Sequence, residues 1–419
     1  MSTKPVGASL RTYQVGFGDC LLLRVDYPEF SRHVLFDFGT TKRPEGASKD
    51  RMLEIAEDIA EATNGALDAI VITHRHADHN SGFAGASGDV IARLGPKIVV
   101  QPWTEDPRLD SDATAPRGHR AYRHVLHGMN AFSDRTLAMA ESAPRLALGS
   151  KGNELRELAR NNGVSPAAAR IQALPGKHVY VHHGSETGLE SVLPGVDVRV
   201  LGPPTLEQSN GIRKQRATDP EEFWSLRATR WQALAADAVP GAEWDPFGAD
   251  VKVIPRAAAP AHTRWFCDRV TDATDDLALE LVRTLDRVLN NTSVILLMTI
   301  GKAGLLFPGD AQIENWEYAL GQEEVCEALA KVTVYKVGHH GSLNATPRSV
   351  WKMLCERKDG PGRLQTFLST LSGKHGHVER NTEVPRTKLV DALREHSELV
   401  STEDFAAEQL YRVTEIPIG

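Results

Sequence analysis

Three histidines and an aspartate fall within six residues of one another in Val71-Ile72-Thr73-His74-Arg75-His76-Ala77-Asp78-His79. Imidazole nitrogen and carboxylate oxygen are ligands that suit Zn²⁺, and Mn²⁺ and Fe²⁺ accept them too. The apolar run Ala69–Thr73 reads as a short buried strand. Alternation puts His74 and His76 on one side as the chain leaves that strand, and Asp78 and His79 open a turn into a helix. All four side chains can therefore reach one point. The bland alternative is a solvated histidine-rich loop. A lone histidine would deserve it, but four potential ligands placed directly after an apolar strand argue against it.

Two later stretches can complete the constellation. Leu305-Leu306-Phe307-Pro308-Gly309-Asp310-Ala311 ends a strand on Asp310, which taken alone would serve as the N-cap of a helix over Ala311–Leu320. Tyr335-Lys336-Val337-Gly338-His339-His340-Gly341-Ser342 ends another strand on two adjacent histidines. Spacing does not separate these two. Other histidines stand further off: His182 and His183 after the strand candidate His178–His182, His262, and the group His119, His124 and His127, which reads as the surface of a basic helix. No Gly-x-Ser-x-Gly elbow, phosphate-binding Walker loop or His-Glu-x-x-His pair is present. The Gly16/Gly18 turn lacks the third glycine and the helix of a dinucleotide loop.

The elements that must hold these residues are legible on both sides of a long, differently textured middle. Arg11–Val15 and Cys20–Val25 form a hairpin across the turn at Gly16 and Gly18. His33–Phe38 is a strand ending at Asp37-Phe38-Gly39, Lys49–Thr63 has helical spacing, and Lys97–Gln101 is a strand stopped by Pro102. Strands resume at Ser293–Ile300, Gly304–Phe307, Val332–Val337 and Leu364–Leu368, followed by a helix near Thr387–His396 and a strand near Gln409–Val413. Between them, 103–289 is rich in alanine and arginine with few strands (His178–His182 and Val196–Leu201), and reads as a mainly helical insertion. A layered α/β domain formed by 1–102 and 290–419 is expected.

These motifs resemble the metallo-β-lactamase fold superfamily, whose signature is His-x-His-x-Asp-His at a strand end. The resemblance implies a four-layer αββα sandwich with a one- or two-metal site at one edge. It implies that His74 and His76 bind one metal, that Asp78 and His79 bind a second, and that Asp310 bridges them. The His339-His340 pair is similar to the family's final histidine motif. His339, the first residue past the strand, is taken as the ligand, and His340 as facing substrate or packing against the loop. More narrowly, several features resemble the hydrolase domain of ComEC-type DNA-uptake proteins: Val15-Gly16-Phe17-Gly18-Asp19, Leu35-Phe36-Asp37-Phe38-Gly39, Val200-Leu201-Gly202-Pro203-Pro204, Asn290-Asn291-Thr292-Ser293-Val294 and the Gly-His-His-Gly-Ser block. They cover about 1–102 and 290–380, with a patch near 200. The membrane channel of the uptake proteins has no counterpart, so DNA import is not implied. Their terminal motif survives only as Gly373-Lys374-His375-Gly376-His377, making His377, with Ser342, a candidate substrate contact. Many superfamily members add a middle histidine ligand, for which His182, His183 and His262 are the candidates. Without it, one metal would have only His74, His76 and Asp310, and Mn²⁺ would compete better with Zn²⁺.

Two metals about 3.5–4 Å apart activate a water and clamp the attacking and leaving oxygens. That machinery serves β-lactams, thioesters, lactones and phosphodiesters alike, so fold names no substrate. The Gly-His-His-Gly-Ser likeness points to phosphodiesters, in nucleic acid or nucleotides. The basic cluster Arg213-Lys214-Gln215-Arg216, with Arg227 and Arg230 near Trp224 and Trp231, could track a phosphate backbone. Asp219, Glu221 and Glu222 lie among these residues, so a charge-compensated helix face is the simpler reading. A small-molecule ester, thioester or lactone hydrolase and a regulatory protein with a degenerate site are the competing classes.

Composition bounds the rest. The chain has 419 residues, 41% hydrophobic and 25% charged, with net charge −7, unlike a protein that coats nucleic acid non-specifically. No apolar run approaches the ~18–20 residues of a membrane helix, and no secretory signal is expected at Met1–Val6. Four widely spaced cysteines fit neither a disulfide framework nor a cysteine zinc cluster, so a reducing cytoplasm is expected.

Overall fold

The computed structural model describes residues 4–108, 158, 161, 166–205, 207–208, 286, 289–355, 363–374 and 383–419. The basic cluster at 213–216, Arg227, Arg230, both tryptophans beside them, His119, His124, His127, His262 and His377 lie outside these residues.

The described chain is mixed α/β with two mixed sheets. The first contains β1 (Gly7–Tyr13), β2 (Leu21–Asp26), β3 (Ser31–Phe36), β4 (Ala69–Val71), β5 (Ile98–Pro102), β6 (Lys177–Val181) and β13 (Tyr411–Glu415). Its spatial order is β13-β1-β2-β3-β4-β5-β6. The second contains β7 (Val196–Gly202), β8 (Ile295–Ile300), β9 (Ala303–Phe307), β10 (Val332–Lys336), β11 (Leu364–Leu368) and β12 (Ser397–Ser401), ordered β12-β11-β10-β9-β8-β7. In each sheet three strands pair antiparallel and the next three follow in parallel. The sheets thus repeat one topology, and β13 returns to the edge of the first.

The two strands expected within 103–289 are present, as β6 and β7. Both lie in the stretch read as an insertion. β6 extends the first sheet beside β5, and β7 begins the second beside β8. The sequence marks both strands, and pairing with β5 and β8 gives them their places in the sheets.

Alternation assigns the faces. Leu21, Leu23, Val34, Phe36, Ala69 and Val71 of one sheet share a buried cluster with Leu296, Met298, Leu305, Phe307 and Val334 of the other. Phe36 and Phe307 stack at its heart, ring centroids 4.0 Å apart. The opposite face of the first sheet, including Leu22, Leu35, Ile70 and Val99, packs on α1 (Arg51–Ala62) and α3 (Gly85–Arg93) through Ile55, Ile59 and Ile91. The opposite face of the second, including Leu297, Leu306 and Tyr335, packs on α5 (Ile313–Leu320), α6 (Glu323–Leu329), α7 (Arg348–Cys355) and α8 (Thr387–His396). Two short helices also occur among the described residues, α2 (Ala77–Asn80) and α4 (Pro166–Gln172). A strand covered on both faces must be apolar throughout, which explains why β4 is Ala-Ile-Val with no polar residue. Among the described residues, no helix is long and apolar enough to cross a membrane.

Candidate metal centre

The chemistry-bearing residues gather where the parallel strands of both sheets end. Loops beyond the carboxyl ends of parallel strands are free to converge on a ligand while the sheet holds their roots. Asp37 follows β3, and the His74–His79 segment follows β4. Asp310 follows β9, and His339 and His340 follow β10. The topological repeat therefore brings two loops from each sheet to one place.

Asp78, His79, Asp310 and His340 form a fully buried group whose potential ligand atoms lie within 4.8 Å of one another. His79 Nε2 is 3.2 Å from Asp310 Oδ2 and 3.9 Å from Asp78 Oδ1. His340 Nε2 is 3.2 Å from Asp78 Oδ2 and 3.8 Å from Asp310 Oδ2. His74 and His76 sit alongside, with His74 Nε2 2.9 Å from His76 Nδ1. Two nitrogens on one tetrahedral Zn²⁺ stand about 3.3 Å apart, so this pair is close to a ligand spacing.

Hydrogen bonds on the far edges of the rings decide which nitrogen faces the centre. A backbone carbonyl only accepts, so the Ser369 carbonyl at 3.0 Å requires His340 Nδ1 to carry the proton. His79 Nδ1 donates to Asp37 Oδ2 at 2.8 Å. Asp37 also accepts from the Thr73 backbone N–H and hydroxyl, each at 2.7 Å. With its hydrogen committed there, Thr73 Oγ1 accepts from His74 Nδ1 at 3.2 Å. One carboxylate thus orients His79 directly and His74 through Thr73, and the Nε2 atoms of His79 and His340 face the buried group. The outer nitrogen of His76, Nε2, is 3.8 Å from Asp286 Oδ1.

Local backbone makes these approaches possible. Gly309 lies in the left-handed region at φ 54°, and a Cβ there would be 2.7 Å from Thr73 Cβ. The glycine lets the Asp310 loop close on the Thr73 loop. His339 and His340 are themselves left-handed, at φ 44° and 50°, which turns the chain sharply as it leaves β10.

Charge is distributed in two kinds. Burial pushes His74 well below the ordinary 6.5 of an imidazole, and His76 down to about 4. Burial pushes His79 and His340 down as well, but Asp310, Asp78 and the carboxylates behind them outweigh it and raise both. Burial acts to raise Asp78 and Asp310, and the neighbouring histidines, His79 foremost, hold both low instead. Without metal, the cluster is a pair of imidazolium–carboxylate contacts beside two neutral rings.

This cluster could hold a metal ion. Buried and without hydrogen-bond partners are Asp78 Oδ1, His79 Nε2 and His76 Nε2. Leaving such atoms unsatisfied is unfavourable, and a cation shared by nitrogen and oxygen donors would satisfy the first two at once. A second grouping, Asp19, Asp37 and His79, is also compact, but Lys336 Nζ already contacts Asp19 there.

No protein-family profile matches this chain, and no curated protein matches it in sequence. The site must be read from its own geometry.

That geometry separates the adjacent histidines. His340, not His339, enters the buried group, whereas the His339 side chain is 25% exposed with Nε2 3.8 Å from Asp310 Oδ2. Position His339 instead contributes its backbone, donating N–H to Asp310 Oδ1 at 3.1 Å. The left-handed turn carries the second residue, rather than the first, back beneath the strand. Ser342 closes this turn through N–H donation to the His339 carbonyl and is half-buried. Neither His182 nor His183 joins the group. His182 Nδ1 lies 2.9 Å from the His183 carbonyl, and His183 Nδ1 lies 3.0 Å from that of Leu201. Sequence reasoning assigned no site role to Asp37, Thr73, Ser369, Asp286, Asp19 or Lys336. The available signal was a charged residue ending an apolar strand, at Asp37 and Lys336.

Proposed function

We propose that this chain is a metal-dependent hydrolase of the metallo-β-lactamase type, built as a four-layer αββα sandwich and acting on phosphodiester bonds. The single observation that carries this reading is the convergence of Asp78, His79, Asp310 and His340, with inward Nε2 atoms and an unpartnered Asp78 oxygen, on one buried point. The layered reading is supported by the three buried clusters, one between the sheets and one on each outer face. The phosphodiester class rests on the likeness of Gly338-His339-His340-Gly341-Ser342 to the ComEC-type block. Free thiols at Cys20 and Cys326 suit a reducing cytoplasm.

In this reading His74, His76 and Asp310 would hold one ion, and Asp78, His79, His340 and Asp310 the other. Nitrogen and carboxylate donors together suit Zn²⁺, with Mn²⁺ as competitor. When bound, such ions supply an activated water and neutralise charge developing on the reacting oxygens. The protein's own contribution is orientation. Asp37 fixes the tautomers of His79 and, through Thr73, His74. The Ser369 carbonyl fixes that of His340, and the otherwise unpartnered Asp78 Oδ1 would complete the donor set. His339, its side chain partly exposed beside Asp310, would meet substrate in this reading.

The test is elemental analysis of purified protein, followed by a panel of linear and plasmid DNA, RNA, bis-p-nitrophenyl phosphate, a lactone, a thioester and a chromogenic lactam. One to two transition-metal ions per chain and chelator-sensitive phosphodiester hydrolysis are expected. Metal-free protein whose activity ignores chelator would defeat the reading. Cleavage of the lactone or thioester alone would reassign the substrate class.

A further inference from the structure

A buried lysine lies directly behind the metal centre, and the proposed reaction does not use it. Lys336 ends β10 at 3% exposure, and its Nζ contacts Oδ2 of Asp19, which is 1% exposed. Burial pushes the ammonium down, but Asp19, then Asp310, outweigh it and hold it charged. A pinning contact between two sheets needs no ions, because apolar side chains of similar volume serve as well or better. What distinguishes this pair is its surroundings.

Asp19 Oδ2 is 3.6 Å from His79 Nδ1, and Asp19 Oδ1 is 4.0 Å from His340 Nδ1. Asp19 Oδ1 has no hydrogen-bond partner. The carboxylate therefore faces the protonated outer edges of both histidines whose inner nitrogens point at the centre. Its backbone reaches the same loops, since Asp19 N–H donates to the Asp78 carbonyl at 2.9 Å. The two preceding residues act on the His340 side. The Phe17 ring lies against His340 with centroids 4.3 Å apart, and the Gly18 carbonyl accepts from Ser369 Oγ at 2.6 Å. Gly18 itself (φ 153°) is required there, because a Cβ would be 2.3 Å from the Gly39 carbonyl oxygen and 2.6 Å from that of Asp78.

We infer that the Asp19–Lys336 ion pair is a positioning device for the metal centre. Asp19 biases His79 and His340 toward the Nδ1–H tautomer and sets the spacing between their loops, while Lys336 anchors Asp19. The inference rests on the metal-centre reading above but concerns residues that touch no ion.

The experiment titrates metal-free protein with Co²⁺, whose visible absorption reports coordination geometry, alongside thermal unfolding. Lys336→Met and Asp19→Asn should each weaken Co²⁺ binding by roughly 10- to 100-fold, as loss of an outer partner of a ligand does, and should shift the absorption bands. Because each single change strands a buried charge or donor and can cost folding, the decisive protein is the double variant Asp19→Asn/Lys336→Met. It removes both charges and should recover thermal stability without recovering Co²⁺ affinity or the wild-type spectrum. A double variant that binds Co²⁺ with wild-type affinity and spectrum overturns the inference and leaves the pair as a simple pin. Wild-type protein that binds no Co²⁺ overturns the metal-centre reading and this inference with it.

Discussion

His340 Nε2 lies 3.2 Å from Asp78 Oδ2 across 262 positions of sequence, joining a loop of one sheet to a loop of the other. The contact sets which residue of the His339-His340 pair faces the cluster. It also makes the centre a product of both halves of the chain, because each sheet alone supplies only part of the donors.

That relationship separates the adjacent histidines experimentally. His340→Ala removes a buried inward nitrogen and should lower metal content by about one ion per chain. His339→Ala should keep its metal and lose turnover or substrate affinity. Elemental analysis of both variants decides, and metal loss from His339→Ala alone would restore the order expected from sequence.

Asp37 receives hydrogen bonds from Thr73 N–H, Thr73 Oγ1 and His79 Nδ1. Asp37→Ala leaves these buried donors unpaired, at about 1–3 kcal/mol each before relaxation. It should also weaken metal binding about 10- to 100-fold by freeing two ligand rings. Denaturant unfolding and Co²⁺ titration measure the two losses separately. Unchanged affinity in a folded variant would remove Asp37 from the positioning of the centre.

Metal-free protein should be most stable near pH 6.5. His74 and His76 sit below the ordinary 6.5, His76 at about 4. The unfolded chain therefore binds their protons first as pH falls, and stability drops between about 6.5 and 4. His79 and His340 sit above 6.5. Their contribution is complete below that value and is lost as pH rises through the folded-state values. Denaturation across pH in excess chelator should trace a bell, and bound metal should flatten the alkaline limb by replacing those protons. A monotonic profile would contradict the charge assignment.

The stacked pair Phe36–Phe307 joins the sheets whose loops form the centre. Phe307→Ala should cost about 3–5 kcal/mol through lost burial and the cavity left behind. Phe307→Leu, which retains most of the volume, should cost less. Calorimetry checks both values, and a loss under 1 kcal/mol for the alanine variant would mean that this contact contributes little to holding the sheets together.

The sequence by itself determined the elements and donors that depend on local pattern. Period-two alternation marked most strands, and the apolar run before His74 identified a covered strand. The close spacing of His74, His76, Asp78 and His79 marked a candidate metal constellation, because side chains so near one another need only one turn to converge. Pairing was another matter. β6 and β7 are legible as strands, but only pairing with β5 and β8 places them in the sheets. The choice between His339 and His340 was likewise undecidable from spacing, since both are adjacent after one strand. A left-handed turn and a carboxylate on the other sheet settle their geometry. Asp37, Asp19 and Lys336 read locally as charged punctuation at strand ends or turns. Only the closure of two sheets on each other buries them, and burial makes charges at such positions matter to the histidines they face.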